Sequence, residues 1–235
     1  TRTRPLLAYP VSASLEIVDL DERPDVEAES ATPTPPRRGV VSLPIRERDL
    51  PEDPATAHPA LTWGWNAFSG SGEAEAEVVY VNRGLEADYE RLREWGVDVA
   101  GRIVLARYGG AYRGHKVRNA VANGAAGVVL FTDPADSGDG RGAVWPEGGG
   151  WANESFIQRG SVLTRPQPGD VLTPFEPAFA DAERLPLEEA GLFEIPVQPI
   201  GYAAAKEILR RMSGREAAAL PGGESWRGGL DLPYR

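Results

Sequence analysis

The sequence predicts an α+β fold, and three observations carry that prediction. Residues 101–133, "GRIVLARYGGAYRGHKVRNAVANGAAGVVLFTD", read as strand, helix, strand. Packed into roughly 30 residues, that pattern is one βαβ unit with a right-handed crossover and a parallel pair. A second, shorter strand and helix follow at 195–212, "IPVQPIGYAAAKEILRRM". Between and around them lie glycine- and proline-rich stretches holding short apolar runs, the texture of β-rich flanks rather than of a helical bundle.

Taken in order, residues 1–21 hold two apolar runs, "PLLAYP" and "ASLEIVDL", the second alternating as a strand does. Residues 22–75 read as a Pro-rich irregular zone, because "DERPDVEAESATPTPPRRG" and "DLPEDPATAHPA" mix prolines with acids. A loop of that length is functional or a linker. "LTWGWNAFSGSG" interrupts it with three aromatics expected to anchor on a core. "EVVYVN" is a strand, and "LEADYERLREWG" a helix with Leu85, Tyr89 and Leu92 on one face, stopped at Gly96. "GRIVLARYG" is a buried strand. "GHKVRNAVANG" is a helix presenting Val117, Ala120 and Val121, ended by Asn123-Gly124, and "AAGVVLFTD" is the next strand. Residues 133–180 turn irregular again. The last helix runs from about Ala203 to Met212, and the tail "SWRGGLDLPYR" is a candidate edge strand. No internal repeat is visible, and residues 1–235 read as a single domain.

A chain of 235 residues buries roughly 70% of its unfolded surface and needs no covalent staple. It has no cysteine, which removes disulfides, thiolate metal sites and a cysteine nucleophile together. The net charge of −10 argues against nucleic acid or an anionic membrane as partner. No apolar run approaches the ~18 residues of a membrane span. Only Lys116 and Lys206 among the 25 basic residues are lysine, a bias expected of a GC-rich genome. Starting at Thr1 without a signal-peptide pattern, the chain reads as a piece of a longer protein.

Few residues carry candidate chemistry. Arg113 falls between a strand's carboxyl end and the next helix, where ligands of βαβ units sit and unpaired helix N–H groups favour an anion. Gly109, Gly110 and Gly114 flank it, and a guanidinium there can grip a carboxylate bidentately. Spacing alone favours the plainer reading, a loop charge paired with a nearby acid. Asp133, Asp136 and Asp139 in "FTDPADSGDG" resemble a cation loop but lack the EF-hand glycine and terminal glutamate, so ordinary turn chemistry is the better reading. The acids of "LDERPDVEAE" read as a solvated run. Histidine is scarce: His58 and His115 stand far apart, with no HExxH, GxSxG, P-loop or GxGxxG pattern. A zinc site made only from this chain would lack its preferred ligands. On the residues alone the chain is non-catalytic, with one candidate anion site.

Read together, "LLAYP", "VVYVNRG", "GRIVLARYGGAYRGHKVRNAVANGAAGVVLFTDPAD", "QRGSV", "GDVLTPFEPAF", "IPVQPIGYAAAKEILRRM" and "SWRGGLDLPY" resemble the protease-associated (apical) domain of the glutamate carboxypeptidase II and transferrin receptor group. The pieces run in the family's order and cover nearly the whole chain, most weakly over 22–62. The resemblance implies a β-sandwich-like core with flanking helices, inserted into a two-zinc peptidase domain and lying over its active site. It also implies a peptide substrate, a peptidase domain of the same parent chain as partner, and zinc ligands supplied by that domain. An exported or cell-envelope parent, and a homodimeric one, follow from family habit.

Residue by residue the carry-over is short. The family's arginine in an "FRGNK"-like motif contacts a substrate carboxylate, and Arg113 in "YRGHK" matches it. The family's asparagine after "QRG" is Ser161 here, which is shorter and lacks the amide. Thr173 in "VLTPFEP" matches a threonine whose backbone contributes to a structural calcium site, but the tyrosine of that motif is replaced by Glu176. The resemblance thus implies a substrate-gating and recognition domain without its catalytic floor. Its alternative is an interaction module of a non-catalytic, transferrin receptor-like homologue.

Overall fold

The computed structural model describes residues 2–20 and 38–235. Alternating apolar residues give β1 (Glu16–Leu20), which pairs antiparallel with β2 (Arg38–Ser42), Ile17 lying opposite Val41. β3 is the two-residue Asn66–Ala67. The regular part follows as β4 (Val78–Tyr80), α1 (Glu86–Glu94), β5 (Ile103–Arg107), α2 (Arg113–Ala122) and β6 (Gly127–Phe131). After the single turn α3 (Pro134–Ser137) come β7 (Gly160–Ser161), β8 (Gly169–Asp170) and β9 (Thr173–Pro174), then β10 (Val197–Ile200) and α4 (Tyr202–Leu209).

The class is α+β, as expected. Among the described residues the β content gathers into one parallel sheet, ordered β10-β6-β5-β4, and three two-stranded pieces, β1-β2, β3-β7 and β8-β9. The sandwich-like expectation is thus met by a main sheet with small ribbons rather than by two large facing sheets. The expected βαβ unit, β5-α2-β6, is preceded by a second, β4-α1-β5, which shares its strand. Every residue of β6 is buried, which is why that segment is a continuous apolar run instead of an alternating one. The helices cover the sheet with Tyr89 and Leu92 of α1, Val117 and Ala120 of α2, and Ile208 and Leu209 of α4.

Three local expectations are corrected. The tail forms no strand: it runs as turns, yet Trp226, Leu230 and Tyr234 are buried, and Tyr80 stacks edge-on against Trp226 at 5.9 Å. Val121 does not join the inner face of α2 but stands exposed, while Lys116 and Asn119 are buried instead. Trp63, Trp65 and Phe68 are only half-buried, and the residue sunk among them is Asn66. Most of the acidic run "LDERPDVEAE" lies outside the described residues.

Candidate functional site

β5 ends at Arg107, and the chain turns through Gly109 and Gly110, both with positive φ (93° and 76°), before α2 begins. That left-handed pair lets the chain reverse tightly, and it sets Arg113 in the first turn of α2 at the carboxyl end of the sheet. The plainer sequence reading expects an acid beside Arg113. Among the described residues no ion pair includes it. Its Nη1 donates to the Ser161 carbonyl and its Nη2 to Gln158 Oε1, both at 3.3 Å, and its buried Nε has no partner. The Tyr108 and Tyr112 rings lie 5.9 and 5.6 Å from its Cζ. Neutral acceptors and π-faces leave the positive charge uncompensated.

Ser161 lies beside Arg113 but offers its carbonyl rather than its hydroxyl. That carbonyl also accepts from Tyr112 Oη at 2.6 Å, while Ser161 Oγ accepts from Leu163 N at 2.9 Å within its own loop. Thr173, in the β8-β9 ribbon, is buried; its Oγ1 donates to the Glu176 carbonyl, and its own carbonyl accepts from Glu176 N, both at 3.2 Å. The structure therefore joins two of the three sequence candidates and places the third in a separate ribbon.

Sequence reading missed the partners that shape this spot. Tyr108 donates its hydroxyl to the Gln158 carbonyl at 2.8 Å. Burial pushes that phenol up to about 12, opposed by polar contacts with Asn66 and Arg113. Asn66 donates from Nδ2 to the Gly160 carbonyl at 3.1 Å. These two bonds join residues 50 and 94 positions apart, so no local spacing announces them.

The aspartates of "FTDPADSGDG" behave as turn and core residues. Asp133 caps α3 through Ala135 N, accepts from Gly229 N, and takes the Tyr234 hydroxyl at 2.5 Å, pinning the tail. Burial first, and then this carboxylate, push the Tyr234 phenol well above its ordinary value. Asp136 sits between Arg83 Nη2 at 2.7 Å and Arg107 Nη1 at 3.6 Å. Nearby, Lys116 is buried and donates to the carbonyls of Arg83 and Gly109; burial, then the charge of Arg83, bring its amine down to about 8.

His115 packs edge-on to Tyr112 at 5.7 Å and lines a shallow hollow of about 430 Å³ with Glu86, Glu90 and Arg118, a hollow that excludes Arg113. His58 accepts Ala60 N in a surface turn. Among the described residues no three His, Asp or Glu side chains converge to hold a metal, and none of their helices is long and apolar enough to cross a membrane.

With this geometry in hand, the protease-associated domain model matches residues 74–161, which hold both βαβ units, Arg113 and Ser161. A glutamate carboxypeptidase 2 homolog of Caenorhabditis briggsae is 41% identical over 73% of the chain. The aminopeptidase NAALADL1 of Rattus norvegicus is 36% identical over 76%, and its transferrin receptor protein 2 is 32% identical over 72%. The matches span only 22%, 24% and 20% of those relatives' own lengths. The chain therefore belongs to the protease-associated domain family, in the form carried by the glutamate carboxypeptidase and transferrin receptor group.

Proposed function

We propose that residues 1–235 form one apical domain, which recognises substrate for a larger exopeptidase and gates its active site, with Arg113 holding a substrate carboxylate. The observation behind this reading is the unmatched charge at Arg113: a half-buried guanidinium at a helix start, held only by neutral acceptors, with a buried Nε left over. A carboxylate arriving there gains a charge-assisted hydrogen bond and the field of the helix terminus. The relatives' names, carboxypeptidase and aminopeptidase, support a peptidase parent.

Zinc chemistry in such a parent would draw on ligands beyond the described residues, which do not assemble a metal site. The same holds for calcium at Thr173: among the described residues no group of three acids converges there. Hydrolysis itself is thus assigned to the parent, and recognition to this chain. The test is Arg113→Ala in the complete parent enzyme. The expected result is a raised KM for peptides bearing a free carboxylate and a loss of kcat/KM of roughly 10- to 100-fold, the equivalent of about 1.5–3 kcal/mol. Unchanged kcat/KM overturns the reading.

The match to a transferrin receptor protein supports a second reading, a protein-interaction module in a parent without catalytic metals. Zinc-ligand residues in the rest of the parent sequence separate the two.

A further inference from the structure

We infer that Asn66 is a positioning residue for Arg113, acting through the strand on which the guanidinium rests. The inference rests on the carboxylate reading of Arg113 for its function, but its geometry stands alone. Arg113 lies flat against β7: a Cβ built on Gly160, whose φ is +140°, would meet its Nη1 at 2.5 Å and its Cζ at 2.8 Å. The guanidinium occupies the space that any other side chain at position 160 would fill.

β7 is only two residues long, and among the described residues its one strand partner is β3, with Asn66 opposite Gly160 and Ala67 opposite Ser161. Two residues of ladder hold little by themselves. The Asn66 side chain adds the missing tie, Nδ2 to the Gly160 carbonyl, next to Val162 N donating to the Ala67 carbonyl at 3.0 Å. The Ser161 carbonyl, one peptide further on, is what receives Arg113 Nη1.

Asn66 has a cost that bulk packing does not explain. It is 1% exposed, and its Oδ1 is buried without a partner. An apolar residue would suit a buried position better unless the amide serves a purpose. Arg113 Nε is the other unsatisfied group here, and Arg113 Cζ lies 5.9 Å from the Tyr108 ring. A side-chain amide thus stands beside β7 on the neighbouring strand, where position 161 supplies only a serine. Buried as it is, Asn66 supports Arg113 and does not itself reach a ligand.

The experiment follows the Arg113 Nε–H resonance in ¹⁵N-labelled chain, assigned by its loss in Arg113→Lys. Glutarate is titrated as the carboxylate probe and glutaramide as its uncharged control, for the original chain and for Asn66→Ala and Asn66→Asp. The inference expects three results: a saturable glutarate shift in the original chain, a dissociation constant raised at least threefold in Asn66→Ala, and faster solvent exchange of the Nε proton in that variant without ligand. Asn66→Asp keeps the size of the side chain but brings a competing negative charge, and should lose the shift. If Asn66→Ala does not fold, this isosteric variant decides. Unchanged affinity and exchange in the variants overturn the positioning role while leaving the carboxylate reading intact. No glutarate shift in the original chain overturns the carboxylate reading, and the Nε exchange rates then judge the positioning role alone.

Discussion

Arg107 and Arg113 lie six positions apart on the same connection, and their surroundings are opposites. Arg107 is almost wholly buried, yet its donors meet Asn82 Oδ1 and the Ser225 carbonyl, and the Asp136 carboxylate answers its charge. Arg113 is half-buried and meets only a carbonyl and an amide oxygen at long range. A buried cation that serves the fold is matched within the fold, because an unpaired one is costly. The cation left unmatched is the one available to something from outside. The contrast separates scaffold from site more clearly than exposure alone does.

The largest expected effect strikes the matched end. Asp136→Asn leaves Arg83 and Arg107 facing each other without a carboxylate, and should lower the unfolding free energy by about 3 kcal/mol, read from urea midpoints at constant slope. A loss below ~0.5 kcal/mol would show that the two arginines are satisfied by their neutral partners, and the contrast would collapse.

A middle effect comes from pH. The folded-state value of Lys116 is about 8, against 10.5 for the free side chain, so between those values the unfolded chain binds the extra proton and stability rises with pH. Tyr80, Tyr89 and Tyr234 carry phenols raised by burial. Their contribution is fully present below the ordinary value of 10 and is lost above it. The unfolding free energy should therefore climb from pH 8 by on the order of 1–2 kcal/mol, peak near pH 10 and then fall, as followed by melting temperature. Lys116→Met should flatten the rising limb; a limb that persists in that variant assigns it to another group.

The smallest effect belongs to the unmatched end. Arg113→Ala removes two long hydrogen bonds and should change stability by less than ~1 kcal/mol in thermal melts. A loss as large as that of Asp136→Asn would make Arg113 a structural residue after all.

Much of the scaffold was legible because it rests on short-range periodicity. β4, α1, α2 and α4 carry apolar residues at strand or helix spacing, β5 and β6 are short apolar runs, and Gly96 and Gly124 punctuate them. The tail misled because Trp226, Leu230 and Tyr234 reach the core from turns, which have no period to read. Nothing in the sequence marks Lys116 as buried, because the two carbonyls that accept from it belong to loops converging only in the folded chain. At the site, Arg113 was visible through its position after a strand. Asn66 and Gln158 were not: Asn66 acts across the β3-β7 register, and Gln158 meets Arg113 from 45 positions away.

The wrapped tail has a practical bearing on how this domain can be handled. The family match ends at residue 161, but β10 covers one edge of β6, and Ile200, Leu209, Trp226 and Tyr234 fill the core beyond that point. A fragment trimmed to 74–161 would bare the β6 edge, a template for pairing with another chain. It would also leave Asp133 without the Tyr234 hydroxyl and Tyr80 without its acceptor at Trp226. Such a fragment should appear in the aggregate fractions of a sizing column, whereas a version kept through Tyr234 should elute as a discrete folded species. The smallest workable unit is therefore set by where the last aromatic ring lodges, well beyond the end of the recognisable motif.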